Sequence, residues 1–346
     1  MDLSGAIDYI ARSEARRVRP ITDEEELGRL DAEAGRCVPV LDVSRDARGR
    51  LAASGRLRCG SHDNADRLPF MVDWLNRCVL PLVEPEAAPD VCGAWRVELH
   101  DSYSYLPERR GYREGLTFGR APDAAERRVA LLPDPYHIGD FGGLLRKART
   151  GPAAVPWAAR EPTLFFAGTT TGDRDPSRNE RVRACVWALD DAPAGVACMH
   201  ITNVAQMTAH DISNAWGERR TRGILAAPAP VHDHFRYRYQ ANIVGNTACW
   251  SRLPMVMSSG SLLVHVRHAD AAWYYPLLRE REHYVAADSV DGADLLRAHA
   301  WCRANDAECE RIAASAAALA GQLFAPSTAA SYAATLLQEA GACGRA

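Results

Sequence analysis

The residues best suited to chemistry in this sequence form a loop of glycines and hydroxyls after an apolar stretch. Phe165-Phe166-Ala167 leads directly into Gly168-Thr169-Thr170-Thr171-Gly172. Glycine lets a backbone approach a phosphate closely, and backbone N–H groups and threonine hydroxyls can donate hydrogen bonds to its oxygens. The pattern indicates a phosphate-binding turn, although an ordinary turn between a strand and a helix accounts for the same residues.

Arginines follow this loop at short intervals, at Arg174, Arg178, Arg181 and Arg183. The planar fork of arginine binds phosphate oxygens in pairs, so one or two of these side chains could neutralise a diphosphate. A solvated basic helix face is the alternative. The sequence leaves open whether Arg174, Arg181 or Arg183 would hold the anion.

A second block of the same chemical type runs from Gly245 to Arg252. It consists of Gly245-Asn246-Thr247-Ala248-Cys249-Trp250-Ser251-Arg252. A glycine turn that opens a helix with hydroxyl and arginine donors in its first turn would hold an anion at the helix N-terminus. Helix capping by Asn246 or Thr247 needs no ligand, and the two roles are compatible.

A candidate general base lies in His100-Asp101-Ser102-Tyr103, directly after a predicted strand. In open α/β sheets this end of a strand faces the ligand crevice. A carboxylate there could take the proton of an attacking hydroxyl. The alternative is that Asp101 caps the following turn.

Composition and missing motifs exclude several functional classes. The formal net charge of −3 over 346 residues argues against general nucleic-acid binding, which needs a basic face. Lys147 is the only lysine among the 41 Lys and Arg residues and lies in a polar run, so Schiff-base chemistry is not expected. The sequence has no G-x-x-x-x-G-K-[ST] loop, no G-x-S-x-G elbow and no strict G-x-G-x-x-G fingerprint.

The cysteines and the N-terminus predict a reduced, cytoplasmic protein. None of the ten cysteines forms a C-x-x-C pair, so a zinc ribbon is not expected. The first residues lack an apolar signal core, and no stretch is apolar for long enough to span a bilayer. Peripheral contact with the inner face of the membrane stays open.

Short apolar runs that alternate with helical patterns position these candidate residues. We expect a helical lead-in over 1–35, and a Pro-rich linker over 151–157 marks a domain boundary. The predicted strands are 38–43, 95–99, 116–118, 129–132, 163–167, 197–201, 238–243, 262–266 and 283–285. The predicted helices are 66–80, 178–189, 250–259, 271–278, 294–303, 306–324 and 327–340. This alternation predicts parallel sheets covered by helices on both faces.

Four ordered blocks resemble glycosyltransferase family 90, over about Trp95 to Phe324. They are F-A-G-T-T-T-G-D-R-D-P, then Y-R-Y-Q-A-N-I-V-G-N-T-A-C-W-S-R-L-P with S-S-G-S-L-L-V, then W-Y-Y-P-L-L-R-E-R-E-H-Y-V, and W-C-R-A-N-D-A-E. The family includes capsule- and lipopolysaccharide-associated transferases and protein O-glucosyltransferases. The resemblance implies an α/β protein of the GT-B type, with two Rossmann-like domains facing across a central cleft. The domains would be an acceptor-side domain over 1–155, a UDP-sugar domain over 156–325, and a C-terminal helix over 326–346 that could pack back on the first domain.

The resemblance also implies an inverting, metal-independent transfer of xylose or glucose from a UDP-sugar to a hydroxyl, with no cofactor. Asp101 would be the general base, and Arg174 and Arg252 most resemble the phosphate-contacting arginines of the family. The implied donor residues are Gly168, Thr170, Thr171, Gly172, Arg174, Arg181, Gly245, Asn246, Thr247, Ala248, Cys249, Trp250 and Arg252. The implied sugar or acceptor residues are His100, Tyr103, Phe118 and Gly119.

The acceptor is implied only by the particular family members that the sequence resembles. A chain without a signal sequence resembles the bacterial members, which implies a glycan or glycolipid acceptor such as lipopolysaccharide or capsule. Two alternatives stay open: a nucleotide- or glycan-binding module that keeps the fold without transfer, and a protein O-glucosyltransferase. The donor sugar and the oligomeric state do not follow from the sequence.

Overall fold

The chain forms two compact units, each assembled from segments that are distant in the sequence. The computed structural model describes residues 2–34, 38–58, 64–100, 114–120, 128–150, 155–228 and 230–343. Unit 1 comprises Met1–Gly139, Ala269–Leu277 and Leu323–Ala346, and unit 2 comprises Asp140–His268 and Leu278–Gln322. The fold is mixed α/β, and the facing arrangement of two Rossmann-like domains stays a prediction.

Unit 1 contains two small sheets and short helices. Its strands are β1 Val40–Arg45, β2 Leu51–Arg56, β3 Gly93–Arg96, β4 Glu114–Thr117 and β5 Arg128–Leu131. Its first helices are α1 Leu3–Ala15, α2 Glu24–Ala34, α3 Arg67–Trp74, α4 Ala88–Val91 and α5 Pro135–Ile138. A π-helical turn, Leu75–Val79, continues α3. The spacing of Ile7, Ile10 and Ala11 gives α1 its buried face.

The first sheet of unit 1 is antiparallel, in the order β2-β1-β3, whereas the sequence predicted parallel sheets throughout. The reason is a hairpin between β1 and β2. The Asp46 carbonyl accepts the N–H of Gly49 at 2.9 Å, and Gly49 has the positive φ that a tight turn requires. Strand β2, which is only half-buried, was not predicted from the sequence. The second sheet, β4 with β5, is parallel.

Unit 2 is built on one parallel sheet of five strands in the order β10-β9-β8-β6-β7. The strands are β6 Glu161–Thr169, β7 Ala197–Asn203, β8 Tyr237–Asn242, β9 Leu262–Val266 and β10 Val285–Ala287. Leu164 and Phe166 point to one face of β6 and Phe165 and Ala167 to the other, and all four are buried. The continuous apolar run that predicted this strand is typical of a parallel sheet buried on both faces.

Helices cover the sheet of unit 2. They are α6 Leu144–Thr150, α7 Glu180–Asp190, α8 Ala209–Trp216, α9 Glu218–Ile224, α10 Val231–His234, α11 Arg252–Ser259, α12 Gly292–Ala304 and α13 Asp306–Leu323. Val182, Cys185 and Val186 of α7 pack in the same core as Phe166. The five parallel strands and helices α7, α11, α12 and α13 were therefore predicted from the sequence, whereas α6, α8, α9 and α10 were not.

The last helix, α14 Pro326–Cys343, belongs to unit 1 and packs on α1 and α4. The hydroxyl of Tyr332 donates to the carbonyl of Leu131 at 2.9 Å. Segment 271–278, predicted as a helix, instead has turns and a single 3-10 turn, Tyr275–Leu277. Trp273 is buried there against Tyr332, with ring centroids 4.5 Å apart, and Pro276 cannot supply a helical N–H.

Candidate functional site

Both glycine-containing loops of the sequence follow neighbouring strands of the unit 2 sheet. The chain leaves β6 through α7 to β7 on one side, and then returns to β8 on the other side of β6. The strand order therefore reverses between β6 and β8. In open α/β sheets, ligands bind in the crevice outside the carboxyl ends of the strands at such a switch point.

The loop after β6 is held by its own hydroxyls and by the neighbouring loops. The hydroxyl of Thr170 donates to the carbonyl of Ala205 at 2.5 Å and accepts the N–H of Ala205 at 2.7 Å. Gly172 has a φ of +127° and donates its N–H to Oδ1 of Asn246 at 3.0 Å. Asn246 thus joins the loop after β6 to the loop after β8.

Arg181 fixes the same two loops from the first turn of α7. Its Nη1 donates to the hydroxyl of Thr171 at 2.5 Å and to the carbonyl of Thr169 at 3.2 Å. Its Nε and Nη2 donate to the carbonyls of Val244 at 3.0 Å and Ile243 at 3.1 Å. Because these bonds use all three nitrogens of the guanidinium, we infer that Arg181 holds the two loops in their conformation. The contact with phosphate expected for it stays a prediction.

Two glycines of the site allow arginines to come close to the backbone. A Cβ on Gly245 would lie 2.7 Å from Nη2 of Arg181 and 2.8 Å from the hydroxyl of Thr171. A Cβ on Gly168 would lie 2.8 Å from Nη2 of Arg252. Real Cβ atoms do not approach other atoms so closely, so the two arginine positions depend on glycine.

Arg252 opens α11 and reaches back to the end of β6. Its Nη2 donates to the carbonyl of Ala167, and its guanidinium carbon lies 4.5 Å from the ring centroid of Phe166. Nη1 is buried and has no hydrogen-bond partner among the residues that the structure describes. Burial, followed by the charge of Arg181, lowers the pKa of Arg252 to about 10.

The two arginines concentrate positive charge without a matching carboxylate. The partners of Arg181 are carbonyls, hydroxyls and the thiol of Cys249, and within the described parts of the chain neither arginine has an ion pair with Asp or Glu. Two buried cations of like sign repel each other and cost free energy in a protein interior. An anion bound at the free Nη1 of Arg252 would relieve that cost.

The remaining residues of the second block lie in the loop between β8 and α11. Ala248 and Cys249 are buried, and the thiol of Cys249 donates to the carbonyl of Ile243 at 3.1 Å. Thr247 is 4% exposed, and its hydroxyl has no hydrogen-bond partner among the described residues. Trp250 is half-buried at the start of the turn into α11. The hydroxyl of Thr247 is thus a second buried polar atom of this site without a partner among the described residues.

The other arginines after β6 occupy different surroundings. Arg174 is exposed on the loop between Gly172 and α7. Arg178 pairs with Asp173 at 3.1 Å, and Arg183 pairs with Asp291 at the start of α12. Of the candidates Arg174, Arg181 and Arg183, Arg183 is the weakest for binding the diphosphate, because its charge is already paired with Asp291.

Sequence reasoning missed Asn179, which organises the loop after β6. Its Oδ1 caps α7 by accepting the N–H groups of Arg181 and Val182, each at 3.1 Å. Its Nδ2 donates to the carbonyls of Thr170 at 3.0 Å and Asp173 at 2.8 Å. An asparagine directly before a helical pattern is an N-cap signal, so the residue could have been found.

A further polar pair lies at the carboxyl ends of β8 and β9. Nδ2 of Asn242 lies 3.0 Å from Nδ1 of His265, and Oδ1 of Asn242 is buried without a partner among the described residues. Burial lowers the pKa of His265 to about 3, so its ring is neutral at physiological pH. Sequence reasoning singled out neither residue: Asn242 ends a strand that also carries Arg238 and Gln240, and His265 stands in the apolar strand β9.

The residues assigned to sugar or acceptor belong to unit 1. The N–H of His100 donates to Oε1 of Glu98 at 3.0 Å, and Nδ2 of Asn64 lies 3.3 Å from the ring nitrogens of His100. Phe118 is buried, and the carbonyl of Gly119 accepts the hydroxyl of Thr117 at 3.1 Å. Asp101 and Tyr103 lie outside the described residues.

One buried carboxyl group of unit 1 titrates near neutral pH. Asp134 follows β5 and caps α5, accepting the N–H of Tyr136 at 2.9 Å and that of His137 at 3.1 Å. Burial raises the pKa of Asp134 to about 7, although these hydrogen bonds favour the carboxylate. Burial lowers the pKa of the neighbouring His137 to about 4.

The described ranges contain neither a cluster of metal ligands nor a helix that could cross a membrane. No group of three or more His, Cys, Asp or Glu side chains there could hold a metal ion. None of the helices there combines the length and apolar character needed to cross a bilayer. The expected independence of metals stays a prediction.

Comparison with known proteins places this geometry in context. The family model described as "Glycosyl transferase family 90" matches residues 134–343, which include both loops and both arginines of the switch point. An uncharacterised protein, 027R, of Frog virus 3 is 26% identical over 187 residues, which are 50% of this chain and 19% of that protein. Protein O-glucosyltransferase 3 of Rattus norvegicus is 34% identical over 94 residues, 27% of this chain and 18% of that protein.

A third relative is the O-glucosyltransferase rumi homolog of Anopheles gambiae. It is 30% identical over 134 residues, which are 38% of this chain and 29% of that protein. The chain therefore spans less than a third of the length of each of these three curated relatives.

Proposed function

The chain belongs to glycosyltransferase family 90, and we propose that it moves a sugar, glucose or xylose, from a UDP-sugar to a hydroxyl of a glycan acceptor. The transfer inverts the anomeric centre and uses no metal ion. The acceptor is a glycan or glycolipid of the lipopolysaccharide or capsule type. One observation carries the donor half of this proposal, the guanidinium of Arg252 at the switch point. Among the described residues no carboxylate pairs with it, and its Nη1 has no hydrogen-bond partner.

The positive charge at the switch point suits the leaving group of this reaction. When the bond between C1 and the β-phosphate breaks, negative charge develops on the diphosphate, and a fixed cation close by stabilises the transition state. Arg252 supplies that cation, and Arg181 adds a second positive charge while it holds the loops in place. The hydroxyl of Thr247 gives the donor a further polar contact.

The acceptor half of the proposal rests on Asp101. In a single displacement with inversion, the acceptor hydroxyl attacks C1 from the face opposite UDP, and one carboxylate suffices to take its proton. The family resemblance of the segment Trp95–Tyr103 assigns this role to Asp101. The product is the glycosylated acceptor, and UDP leaves with the electron pair of the broken bond.

Release of UDP tests the function directly. We expect turnover with UDP-glucose or UDP-xylose and a glycan acceptor, unchanged by excess EDTA. Asp101→Asn should lower kcat by at least about a hundredfold, since a positioned base contributes about that much or more, while UDP affinity stays close to that of the wild type. Full activity of this variant would remove Asp101 as the base, and complete loss of activity in EDTA would refute the metal-free transfer.

A protein acceptor is the second candidate, because two of the relatives are named O-glucosyltransferases. A serine-containing peptide offered beside the glycan acceptor separates the two. UDP binding in calorimetry without turnover on either acceptor would mean a binding module that has lost transfer.

A further inference from the structure

A cavity lies on the face of β6 that carries Phe165 and Ala167, opposite the core formed by Phe166 and α7. It holds a cysteine and a histidine that the proposed reaction does not use. It has a volume of about 200 Å³, and Cys198, His200, Tyr237 and Arg236 are among the residues that line it. Cys198 and His200 are two residues apart on β7, so their side chains share one face of the sheet. Among the described strands, β7 lies at the edge of the sheet beside β6, and Ile201 of β7 forms one isolated bridge with Leu225.

The sulfur of Cys198 lies between two hydrogen-bonding groups. Nε2 of His200 is 3.4 Å from Sγ, and the hydroxyl of Tyr237 is 3.5 Å from it. Nη2 of Arg236 donates to the same tyrosine hydroxyl at 2.9 Å, so that hydroxyl has its own proton free for the sulfur. Phe165 stacks on Tyr237 at a centroid distance of 4.3 Å and holds the ring in place.

The charges around the cavity favour a thiolate. The hydrogen bond from His200 lowers the pKa of Cys198, and the same bond raises the pKa of His200. Burial raises the pKa of Tyr237 to about 12, so it stays protonated and continues to donate. Two other titratable groups, His234 and Asp233, line the cavity. Burial lowers the pKa of His234 to about 4, and the exposed carboxylate of Asp233 opposes this lowering.

We propose that Cys198 is a reactive thiol, paired with His200 and open to small hydroperoxides and alkylating agents through this cavity. Reactive cysteines occur in partly exposed, electropositive surroundings, and Cys198 is half-buried beside His200 and Arg236. Nδ1 of His200 is buried and has no hydrogen-bond partner among the described residues.

The reaction with a hydroperoxide balances without any further reactant. The Cys198 thiolate attacks the terminal oxygen, an S–O bond forms and the O–O bond breaks. The leaving alkoxide or hydroxide takes a proton from the His200 imidazolium. Sulfur loses two electrons to become a sulfenic acid, and the hydroperoxide is reduced to an alcohol or to water.

Cys92 provides a matched control within the chain. It is half-buried like Cys198, but its Sγ donates to the carbonyl of Ala88 at 3.3 Å, and burial raises its pKa. The two thiols are compared by their rates of alkylation with iodoacetamide, followed by peptide mass spectrometry at pH 6.5 and pH 9. Trapping with dimedone after treatment with hydrogen peroxide reports the sulfenic acid.

At pH 6.5 we expect Cys198 to react at least about tenfold faster than Cys92, since one pKa unit changes the thiolate fraction about tenfold. The advantage should shrink toward pH 9, and dimedone should label Cys198 first. His200→Gln, which keeps an amide donor but cannot carry the charge, should remove most of the advantage. Tyr237→Phe, which keeps the stacked ring, should slow Cys198 at pH 6.5 and leave Cys92 unchanged. A Cys198 rate at pH 6.5 no greater than that of Cys92, or one unaffected by both variants, would overturn the proposal.

Discussion

Replacing Arg252 by methionine distinguishes a contribution to ligand binding from a contribution to the stability of the fold. The variant keeps an unbranched side chain over Phe166 and removes the charge, the bond to the carbonyl of Ala167 and the unpartnered Nη1. If Arg252 is there for the fold, stability must fall. If it is there for an anion, affinity must fall instead.

The size of the effect follows from the pKa of Arg252. Its fall from 12.5 to about 10 means that folding makes the charged side chain less favourable by about 3 kcal/mol, at about 1.4 kcal/mol per pKa unit. Losing a charged hydrogen bond and a contact between a cation and a ring costs a similar amount in the opposite direction, about 2 to 4 kcal/mol. We therefore expect the free energy of unfolding without ligand to change by no more than about 1 kcal/mol.

Affinity for UDP should behave differently. A buried charge that contacts a phosphate contributes about 3 kcal/mol, so Arg252→Met should raise the Kd for UDP by about a hundredfold. Isothermal calorimetry measures this affinity, and urea unfolding at pH 7 measures the stability of the unliganded protein.

Arg160 is the matched control. It is a buried arginine directly before the amino end of β6, the strand whose carboxyl end Arg252 contacts. It donates to the hydroxyl of Ser261 at 2.6 Å, the carbonyl of Ser259 at 2.9 Å and the carbonyl of Val155 at 3.0 Å. Arg160→Met should lower stability by about 2 to 4 kcal/mol and leave UDP affinity unchanged. A Kd for UDP within threefold of the wild type in Arg252→Met, together with a clear loss of stability, would refute the reasoning.

Substitutions at three further positions, two of them with a comparison variant, test the surroundings of the site and the buried acid of unit 1. Gly245→Ala places a Cβ 2.7 Å from Nη2 of Arg181 and should cost about 1 to 3 kcal/mol in urea unfolding, whereas Gly321→Ala, whose Cβ meets no atom within 4 Å, should be neutral or stabilising. Asn179→Ala should cost at least about 1 kcal/mol and weaken UDP binding, and Asn179→Asp, which keeps the cap oxygen, should recover part of the stability but not the contacts to the loop. Asp134→Asn keeps the cap and removes a carboxyl group whose pKa is raised from 3.8 to about 7, so the wild type should lose stability relative to the variant as pH rises from about 4 to 7, by at most about 4 kcal/mol.

Each of these three has an outcome that contradicts it. Equal stabilities of the two glycine variants would mean that Arg181 can move aside freely. Unchanged UDP affinity in Asn179→Ala would detach the cap from the site. A difference between Asp134→Asn and the wild type that stays constant from pH 4 to pH 7 would show that this carboxyl group keeps an ordinary pKa.

The sheet of unit 2 and four of its helices were predictable because their sequence signals are local and consistent. Apolar runs such as Leu164–Ala167 mark strands buried on both faces, and glycines and hydroxyls mark the loops that follow them. Helices α7, α12 and α13 follow from apolar spacing in the same way. The candidate donor site follows from these signals, since the carboxyl ends of parallel strands share one edge of the sheet.

Other features depend on contacts between residues that are distant in the sequence. Arg181 is held in place by hydrogen bonds to the carbonyls of Ile243 and Val244, and no local sequence pattern reveals these contacts. Strand β2 is weak in isolation, and pairing with β1 makes it a strand. Segment 271–278 has helical spacing, yet the burial of Trp273 against Tyr332 decides its conformation. In each case tertiary packing overrides local preference.

A crystal structure of the chain with UDP tests the central claim most directly. We expect the diphosphate at the carboxyl ends of β6 and β8, with a β-phosphate oxygen within hydrogen-bond distance of Nη1 of Arg252. UDP bound elsewhere in the chain, or bound at the switch point with Arg252 turned away from its phosphates, would contradict the account.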